Sequence, residues 1–386
     1  MRILYISFVS PQSGAFVHTS QFISALRELN PEVVTFTPRL SSTIMPPQQD
    51  GIAQTRPGPF REIRALGGAF LKMAPREILL IRKIKPDVVI LREDRYISSL
   101  LISRLLNIPT LFEVNSPFLE QYLLSPEEQL RCRCFWEWYE KKIIRLPDRV
   151  MVVSEPLRRF YIGRGLSPEK ITTVPNGVDI DLFNPGIDGR EIRATLGLDS
   201  KVVVGFAGSA APWHGLSFLA EMLSVLVSVR PDMQDKIMLL LVGDARSYRK
   251  NISRIPDSIT VITGPVDHDQ MPRYLAAMDI FVAPYPSIEP FYFSPLKIFE
   301  AMAMGLPVLA SAQGQIIELI EDGESGCLYP PGHQKMFLEK LEALIESPER
   351  RSSLGQRARE TMEKKYTWRK NASRVLALCQ SIARST

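Results

Sequence analysis

The chain has 386 residues with a formal net charge of +5, and 45% of its residues are hydrophobic while 23% are charged. This length favours two domains, and the composition is that of a soluble globular protein. The small positive excess suits anionic ligands or a membrane surface but does not indicate nucleic acid. No apolar run reaches the roughly 18 residues of a membrane span. Because Ile3 begins a strand at once, no signal peptide is expected, and we expect a cytoplasmic protein.

The four cysteines do not have the spacing of a metal site, and Cys-x-Cys is not a usual zinc pair. They are expected to be reduced thiols, at Cys132, Cys134, Cys327 and Cys379. No Asp-x-Asp pair lies at the end of a predicted strand, so we expect no metal and no cofactor.

The N-terminal region predicts a βαβ unit. An apolar run over Ile3–Val9 is followed by a loop ending at Gly14, a helix over Phe16–Leu29 and a strand over Glu32–Thr37. This order puts the Gly14 loop at the carboxyl edge of a parallel sheet, where ligands bind in such folds. The G-x-G-x-x-G fingerprint is absent, which counts against a dinucleotide enzyme.

Residues 56–85 form a basic amphipathic stretch, with eight basic residues against two acids. Such a stretch can lie on an anionic membrane. It can equally be a surface helix that packs on the sheet with its basic residues outward. We favour the surface helix. Peripheral contact with the inner face of the membrane remains the alternative.

Polar residues follow two predicted buried strands, Asp87–Leu91 and Thr110–Val114. Arg95 comes after the first strand, while Glu113 and Asn115 lie at the end of the second. Because side chains alternate along a strand, Glu113 and Asn115 share one face. Glu113 is either a structural carboxylate paired with Arg95 or part of a binding site.

The parallel pattern restarts halfway along the chain. A strand over Val202–Phe206 leads into the glycine-rich loop G-F-A-G-S-A-A-P-W-H-G-L, and a helix follows over Leu216–Val229. A second strand–glycine loop–helix series indicates a second α/β domain. We expect domains over residues 1–184 and 198–362, joined by a linker at about 185–197.

The stretch from Pro284 to Ser311 predicts a strand end, a loop, a helix over Leu296–Met304 and a further strand. Ser294 and Pro295 provide a helix start, and a helix N-terminus favours phosphate. Lys297 and Glu300 lie on one face of the first turn, where a nucleotide would need a cation for phosphate and a carboxylate for ribose. The alternative is a solvated i,i+3 ion pair.

The sequence motif S-P-L-K-x-F-E-x-M-A-x-G-x-P-V, which begins at Ser294, resembles the donor-binding signature of retaining glycosyltransferases of family 4. P-N-G-V-D-x-x-x-F-x-P from Pro175 and E-V-N-S-P from Glu113 resemble further motifs of that family. The resemblance implies an α/β fold of the GT-B type, in which two Rossmann-like domains with parallel sheets face each other across a cleft. It also implies that a C-terminal helix over residues 366–386 packs back on the first domain.

The resemblance also implies the site residues. His214, Lys297 and Asn115 would act in catalysis, and the acceptor side would include Arg95, Glu113 and Asn115. The donor side would comprise Gly14, Gly208, Ser209, His214, Val266, Ser294, Pro295, Leu296, Lys297 and Glu300.

The chain departs from the family pattern at three positions. Ser209 and His214 stand where relatives have Arg and Lys, and Tyr292 stands where many have Glu. We expect Lys297 to carry the phosphate charge instead, with His214 bonding to phosphate and becoming cationic when the pH allows.

The implied activity is transfer of a hexosyl group from a nucleotide sugar to a hydroxyl, with retention of configuration. A UDP-sugar is the favoured donor, the acceptor is a small molecule or a lipid-linked sugar, and neither metal nor nucleic acid takes part. Two alternatives remain: a catalytically weak nucleotide-sugar-binding protein, which the departures motivate, and a nucleotide-sugar epimerase on the same fold.

Overall fold

The computed structural model describes residues 1–9, 14–37, 59–92, 97–117, 137–244, 248–249 and 255–384. These residues form two parallel six-stranded sheets. Contacts divide the chain into two compact units, and each sheet lies in one of them.

The first unit contains a sheet of order β2-β1-β3-β4-β5-β6. Its four central strands are apolar and almost entirely buried, as expected for parallel strands covered on both faces, whereas the two edge strands are partly exposed. They are β1 (Ile3–Ile6), β2 (Val33–Phe36), β3 (Val88–Arg92), β4 (Thr110–Val114), β5 (Arg149–Val152) and β6 (Ile171–Thr173). The helices with defined bounds before residue 175 are α1 (Gly14–Leu29), α2 (Pro59–Ile84), α3 (Ser98–Leu105) and α4 (Glu155–Gly163), and residues 137–143 are also helical.

The second unit contains a sheet of order β12-β11-β10-β7-β8-β9. Its strands are β7 (Val202–Ala207), β8 (Ile237–Val242), β9 (Thr260–Ile262), β10 (Ile280–Ala283), β11 (Val308–Ser311) and β12 (Cys327–Tyr329). The helices of this half are α5 (Arg190–Leu196), α6 (Leu216–Val229), α7 (Met271–Leu275), α8 (Leu296–Ala303), α9 (Ile316–Leu319), α10 (Gln334–Glu346) and α11 (Pro348–Lys365). The last helix, α12 (Trp368–Ala383), belongs to the first unit.

The boundary between the units differs from the predicted one. The first unit comprises Met1–Pro175, Tyr292–Ser294 and Trp368–Thr386, and the second takes the rest. Residues 176–197, which include the predicted linker, therefore count with the second unit. There the Val178 amide donates to the Tyr366 carbonyl at 2.9 Å. In the first unit, the Asn371 amide donates to the Pro175 carbonyl at 2.7 Å and so holds α12 in place.

The predicted cap of α8 is wrong by one residue. Pro295, not Ser294, occupies the N-cap position, and no side chain caps the helix. The physical reason is that the Pro295 carbonyl already accepts from the Ile298 amide at 2.9 Å. Ser294 belongs instead to the short segment that packs with the first unit.

The described side chains of α2 fit a helix packed on the sheet. Met73, Ala74 and Ile81 are buried in the core of the first unit, whereas Arg82 and Lys83 are exposed. Residues 56–58, where the basic stretch begins, lie outside the described residues. In the described part of the chain, no helix is both long and apolar enough to cross a bilayer.

Cys327 and Cys379 are buried free thiols, which agrees with the expectation of reduced cysteines at these positions. Burial raises the pKa of Cys379 to about 12. Cys132 and Cys134 lie outside the described residues.

Arg359 of α11 links separate backbone segments of the second unit by hydrogen bonds. Its guanidinium donates to the carbonyls of Phe183 at 2.5 Å, Ala303 at 2.8 Å and Ile180 at 3.1 Å. Ala303 is the last residue of α8. One side chain therefore holds the end of α8 against the segment that contains Phe183.

We predict that Arg359→Ala lowers the free energy of unfolding by about 2–4 kcal/mol, because carbonyls inside the unit lose their donors. Urea unfolding at pH 7 measures the change. The control is Arg357→Ala on the same helix, whose ion pair with Glu324 is about half exposed on both sides and should contribute under about 1 kcal/mol. Equal effects of the two substitutions would contradict this role of Arg359.

Candidate functional site

The glycine-rich loop after β7 lies against the first turn of α8. Gly208 has a φ of +121°, and a Cβ at this position would lie 2.8 Å from the Lys297 Nζ. Glycine is therefore needed for both the backbone conformation and the close approach. This packing brings together four predicted donor-side residues, Gly208, Ser209, His214 and Lys297.

Lys297 places its amine in aromatic surroundings. The Nζ lies 4.5 Å from the ring centroid of Phe206 and 6.0 Å from that of Tyr285. It is buried and has no hydrogen-bond partner among the described residues. Burial lowers the pKa of Lys297 to about 7, although the Glu300 carboxylate acts in the opposite direction. The amine is thus a desolvated group that an anion would stabilise in its charged form.

His214 lies beside Lys297 and is held by the loop. Its Nδ1 donates to the Ser209 carbonyl at 2.7 Å, so the neutral ring has its lone pair on Nε2. Burial, together with the positive charge of Lys297, lowers the pKa of His214 to about 3. A desolvated imidazole next to an ammonium resists protonation, so His214 is neutral in the free protein near neutral pH. The expected cationic form of His214 in a complex with phosphate stays a prediction.

Glu300 pairs with a residue that sequence reasoning missed. Its Oε1 accepts from the Nε2 of His268 at 2.7 Å. Burial acts to lower the pKa of His268, but the hydrogen bond and charge of Glu300 outweigh it and raise that pKa. The alternative of a solvated Lys297–Glu300 pair is wrong, because the Lys297 amine is buried and the Glu300 side chain is only 12% exposed.

The remaining donor-side residues lie at loop and helix ends. Pro295 and Leu296 lie at the start of α8. Val266 lies in the loop after β9, and Gly264 in the same loop has a φ of +86°. Gly14 begins α1 in the first unit, and Ser294 is also grouped with the first unit.

In the first unit, Glu113 is the centre of a buried hydrogen-bond network. Its Oε1 accepts from His18 Nε2 at 2.8 Å, Arg92 Nη1 at 2.5 Å and Asn115 Nδ2 at 2.9 Å. Its Oε2 accepts from the Tyr5 hydroxyl at 2.7 Å. Burial disfavours the charge, but Arg92 and His18 outweigh it and hold the pKa of Glu113 far below its usual range. Glu113 is therefore an ionised carboxylate that fixes the Asn115 amide.

Glu113 pairs with Arg92. Arg95, the partner that the sequence suggests, lies outside the described residues. The register of the parallel ladder explains the choice, because Arg92 on β3 pairs directly with Glu113 on β4. The predicted strand stopped at Leu91 and so missed this pairing. Tyr5 and His18 also donate to Glu113, but no local sequence pattern predicts these two contacts.

Tyr292, which stands where many family members have Glu, is a packing residue. Its side chain is 7% exposed and belongs to the hydrophobic core of the first unit. Its carbonyl accepts from the Ser154 hydroxyl at 2.6 Å. The position therefore contributes to the core of the first unit.

Comparison with known proteins identifies both halves of the chain. Residues 12–182 match the model for glycosyltransferase family 4, and residues 201–347 match the model for glycosyl transferases group 1. The sulfoquinovosyl transferase SQD2 of Arabidopsis thaliana is 26% identical over 95% of this chain and 71% of its own length. Spore coat protein SA of Bacillus subtilis is 28% identical over 60% of this chain, which spans 64% of that relative. The D-inositol 3-phosphate glycosyltransferase of Kribbella flavida is 23% identical over 62% of this chain and 57% of its own length.

Solved structures share the fold over the whole chain. Sucrose-phosphate synthase from Thermosynechococcus elongatus has a TM-score of 0.75 at 21% identity and covers 100% of both chains. Anabaena HepE in complex with UDP-glucose has a TM-score of 0.72 at 20% identity, over 99% of this chain and 100% of its own. At such identities the likeness establishes the fold and not the substrate. The predicted GT-B fold is confirmed, and with two family models that together match most of the chain, we conclude that it belongs to the GT-B glycosyltransferases of the family 4 type.

Proposed function

We propose that the protein transfers a hexosyl group from a nucleotide sugar to an acceptor hydroxyl, with retention at the anomeric carbon and a UDP-sugar as the favoured donor. The observation that carries the proposal is the buried Lys297 amine at the start of α8, which has no described hydrogen-bond partner. The names of similar proteins agree with it, since HepE was solved with UDP-glucose and SQD2 is a sulfoquinovosyl transferase.

The donor diphosphate would bind where α8 begins. The amides of Leu296 and Lys297 lie in the first turn of α8, where no intrahelical acceptor is available to them. Together with the Lys297 amine, they provide an anion site. Gly208 and Ser209 form the opposite wall, and His214 would contact a phosphate oxygen once protonated.

The nucleoside would extend from this site along α8. Glu300 would accept from the ribose hydroxyls, and the backbone around Val266 would contact the base. Pro295 occupies the cap position of α8, and Ser294 and Gly14 would be further contacts to the phosphates.

Charge stabilisation would be the main catalytic contribution. Negative charge grows on the leaving diphosphate as the glycosidic bond breaks, and preformed positive groups at that point stabilise the transition state more than the ground state. Lys297 and the α8 amides would supply this stabilisation without a metal ion. The acceptor hydroxyl would attack from the face that the diphosphate leaves and pass its proton to a phosphate oxygen.

On the acceptor side, we propose that Asn115 contacts the hydroxyl that reacts. Glu113 holds the Asn115 amide nitrogen, so the amide oxygen is oriented as a hydrogen-bond acceptor. The acceptor would be a small molecule or a lipid-linked sugar, and contact of residues 56–85 with a membrane surface would suit the second. Arg95 would be a further acceptor-side contact.

A second candidate is a nucleotide-sugar-binding protein with little turnover. The pKa of His214 at about 3 favours it, because the loop then supplies no permanent cation in place of the family's Arg and Lys.

We expect UDP-glucose or another UDP-sugar to raise the melting temperature, since ligand at about 100 times its dissociation constant stabilises by about 2.7 kcal/mol. Proton NMR of the sugar product should show the anomeric configuration of the donor, with turnover unchanged by EDTA. If a nucleotide sugar raises the melting temperature but is neither transferred nor hydrolysed, the second candidate, a nucleotide-sugar-binding protein, is supported. A product with inverted anomeric configuration contradicts the retaining mechanism. If no nucleotide sugar stabilises the protein, both candidates are wrong.

Binding of UDP-glucose should take up a proton through Lys297. The pKa of about 7 in the free protein should rise when the diphosphate pairs with the amine. Affinity is then constant at low pH and falls above about pH 7, by at most tenfold per pH unit for one proton. Calorimetry at pH 8 in buffers of different ionisation enthalpy should show uptake of about 0.9 proton, the neutral fraction one unit above that pKa.

The matched controls for this experiment are two lysine variants. Lys297→Met should abolish the proton uptake and most of the affinity. Lys364→Met removes an exposed lysine that pairs with Glu360 on α11 and should leave both unchanged. Uptake that persists in Lys297→Met would assign the proton to another group, such as His214.

A further inference from the structure

His268 occupies a fixed position beside Glu300. It lies in the turn before α7, where the Asp267 carbonyl accepts from the amides of Gln270 at 3.0 Å and Met271 at 3.2 Å. The imidazole is edge-on to the Phe183 ring, with centroids 5.3 Å apart. Its Nε2 donates to the Glu300 Oε1 at 2.7 Å, and its side chain is 27% exposed.

Both neighbours of the imidazole are held by one guanidinium. Phe183 is fully buried, and its carbonyl accepts from Arg359. The same guanidinium binds the carbonyl of Ala303, at the end of the helix that carries Glu300. Arg359 therefore holds Phe183 close to α8. The His268 ring lies between them, packs on the Phe183 ring and donates to Glu300 of α8.

The bond from His268 leaves one carboxylate oxygen of Glu300 for another donor. A carboxylate is an acceptor with two oxygens, and no partner of the Glu300 Oε2 is recorded among the residues that the structure describes. The terminal torsion of a Glu side chain is broad when nothing restrains it. A ring N–H on Oε1 selects one orientation and so directs Oε2.

We propose that His268 is a positioning residue for the donor ribose: it anchors Oε1 of Glu300 so that Oε2 accepts from the ribose 2′- and 3′-hydroxyls. This inference rests on the proposed function, in which Glu300 binds the ribose. It assigns to His268 the selection of ribonucleotide over deoxyribonucleotide donors. Glu300 would contact the ligand, and His268 would act through Glu300.

The experiment compares the dissociation constants of UDP and 2′,3′-dideoxy-UDP for each variant by calorimetry. Their ratio is insensitive to the folded fraction, because both nucleotides are measured on the same preparation. His268→Phe keeps the ring packing on Phe183 but removes the donor. His268→Asn keeps a polar side chain that is too short to reach Glu300, and His268→Gln restores a donor at about the reach of Nε2.

We expect the wild-type protein to prefer UDP by at least about tenfold, since hydrogen bonds to a charged group are lost with the hydroxyls. His268→Phe and His268→Asn should lower this preference by about tenfold, as should Glu300→Gln. His268→Gln should retain it. The control His333→Ala removes another ring that makes a hydrogen bond, at the start of α10, and should also retain the preference.

The outcomes separate the two proposals. If Glu300→Gln loses the preference while His268→Phe and His268→Asn retain it, the inference about His268 is wrong and the role of Glu300 stands. A His268→Gln variant that loses the preference as fully as His268→Phe also overturns it, because a donor then does not suffice. If the wild-type protein does not distinguish the two nucleotides, or Glu300→Gln still does, the ribose assignment itself is wrong and the inference falls with it.

Discussion

Desolvation of the Lys297 amine is the constraint on which the site of the second unit depends. The amine is buried beside the rings of Phe206 and Tyr285, and a buried charge without a partner is costly. The amine therefore becomes less basic, with a pKa of about 7. Burial, together with the charge of Lys297, keeps His214 neutral. The same packing requires glycine at position 208. In the proposed function, a ligand anion would favour the charged form of the amine.

In the first unit, by contrast, the buried carboxylate of Glu113 is stabilised in its charged form. Glu113 accepts hydrogen bonds from four side chains, so its ionised form is stabilised although it is buried. A fully satisfied network of this kind makes a core rigid and orients Asn115 at its edge. The contrast distinguishes the two groups physically: neighbouring side chains stabilise the ionised form of Glu113, whereas the Lys297 amine has no hydrogen-bond partner among the described residues.

The sequence was sufficient for most of the elements and for the helix turn that carries Lys297 and Glu300. Buried apolar runs with glycine and proline between them predicted the parallel strands, and the helix Leu216–Val229 has the predicted bounds. Lys297 and Glu300 could be recognised because their three-residue spacing and the helix start before them are local features. The three departures from the family pattern were also visible, but their consequences were not: Tyr292 is a core residue, and burial disfavours the cationic form of His214 in the free protein.

By itself, then, the sequence determined the order of the elements, the presence of two α/β halves and the turn that carries Lys297 and Glu300. Only the tertiary structure decided which side chains these residues meet. His268 is 32 residues from Glu300, and Arg92 is 21 residues from Glu113. Such pairs arise from the register of parallel strands and the path of loops, and neither leaves a periodic pattern in the chain. Burial, which sets the pKa values of Lys297 and His214, likewise exists only when distant segments pack together.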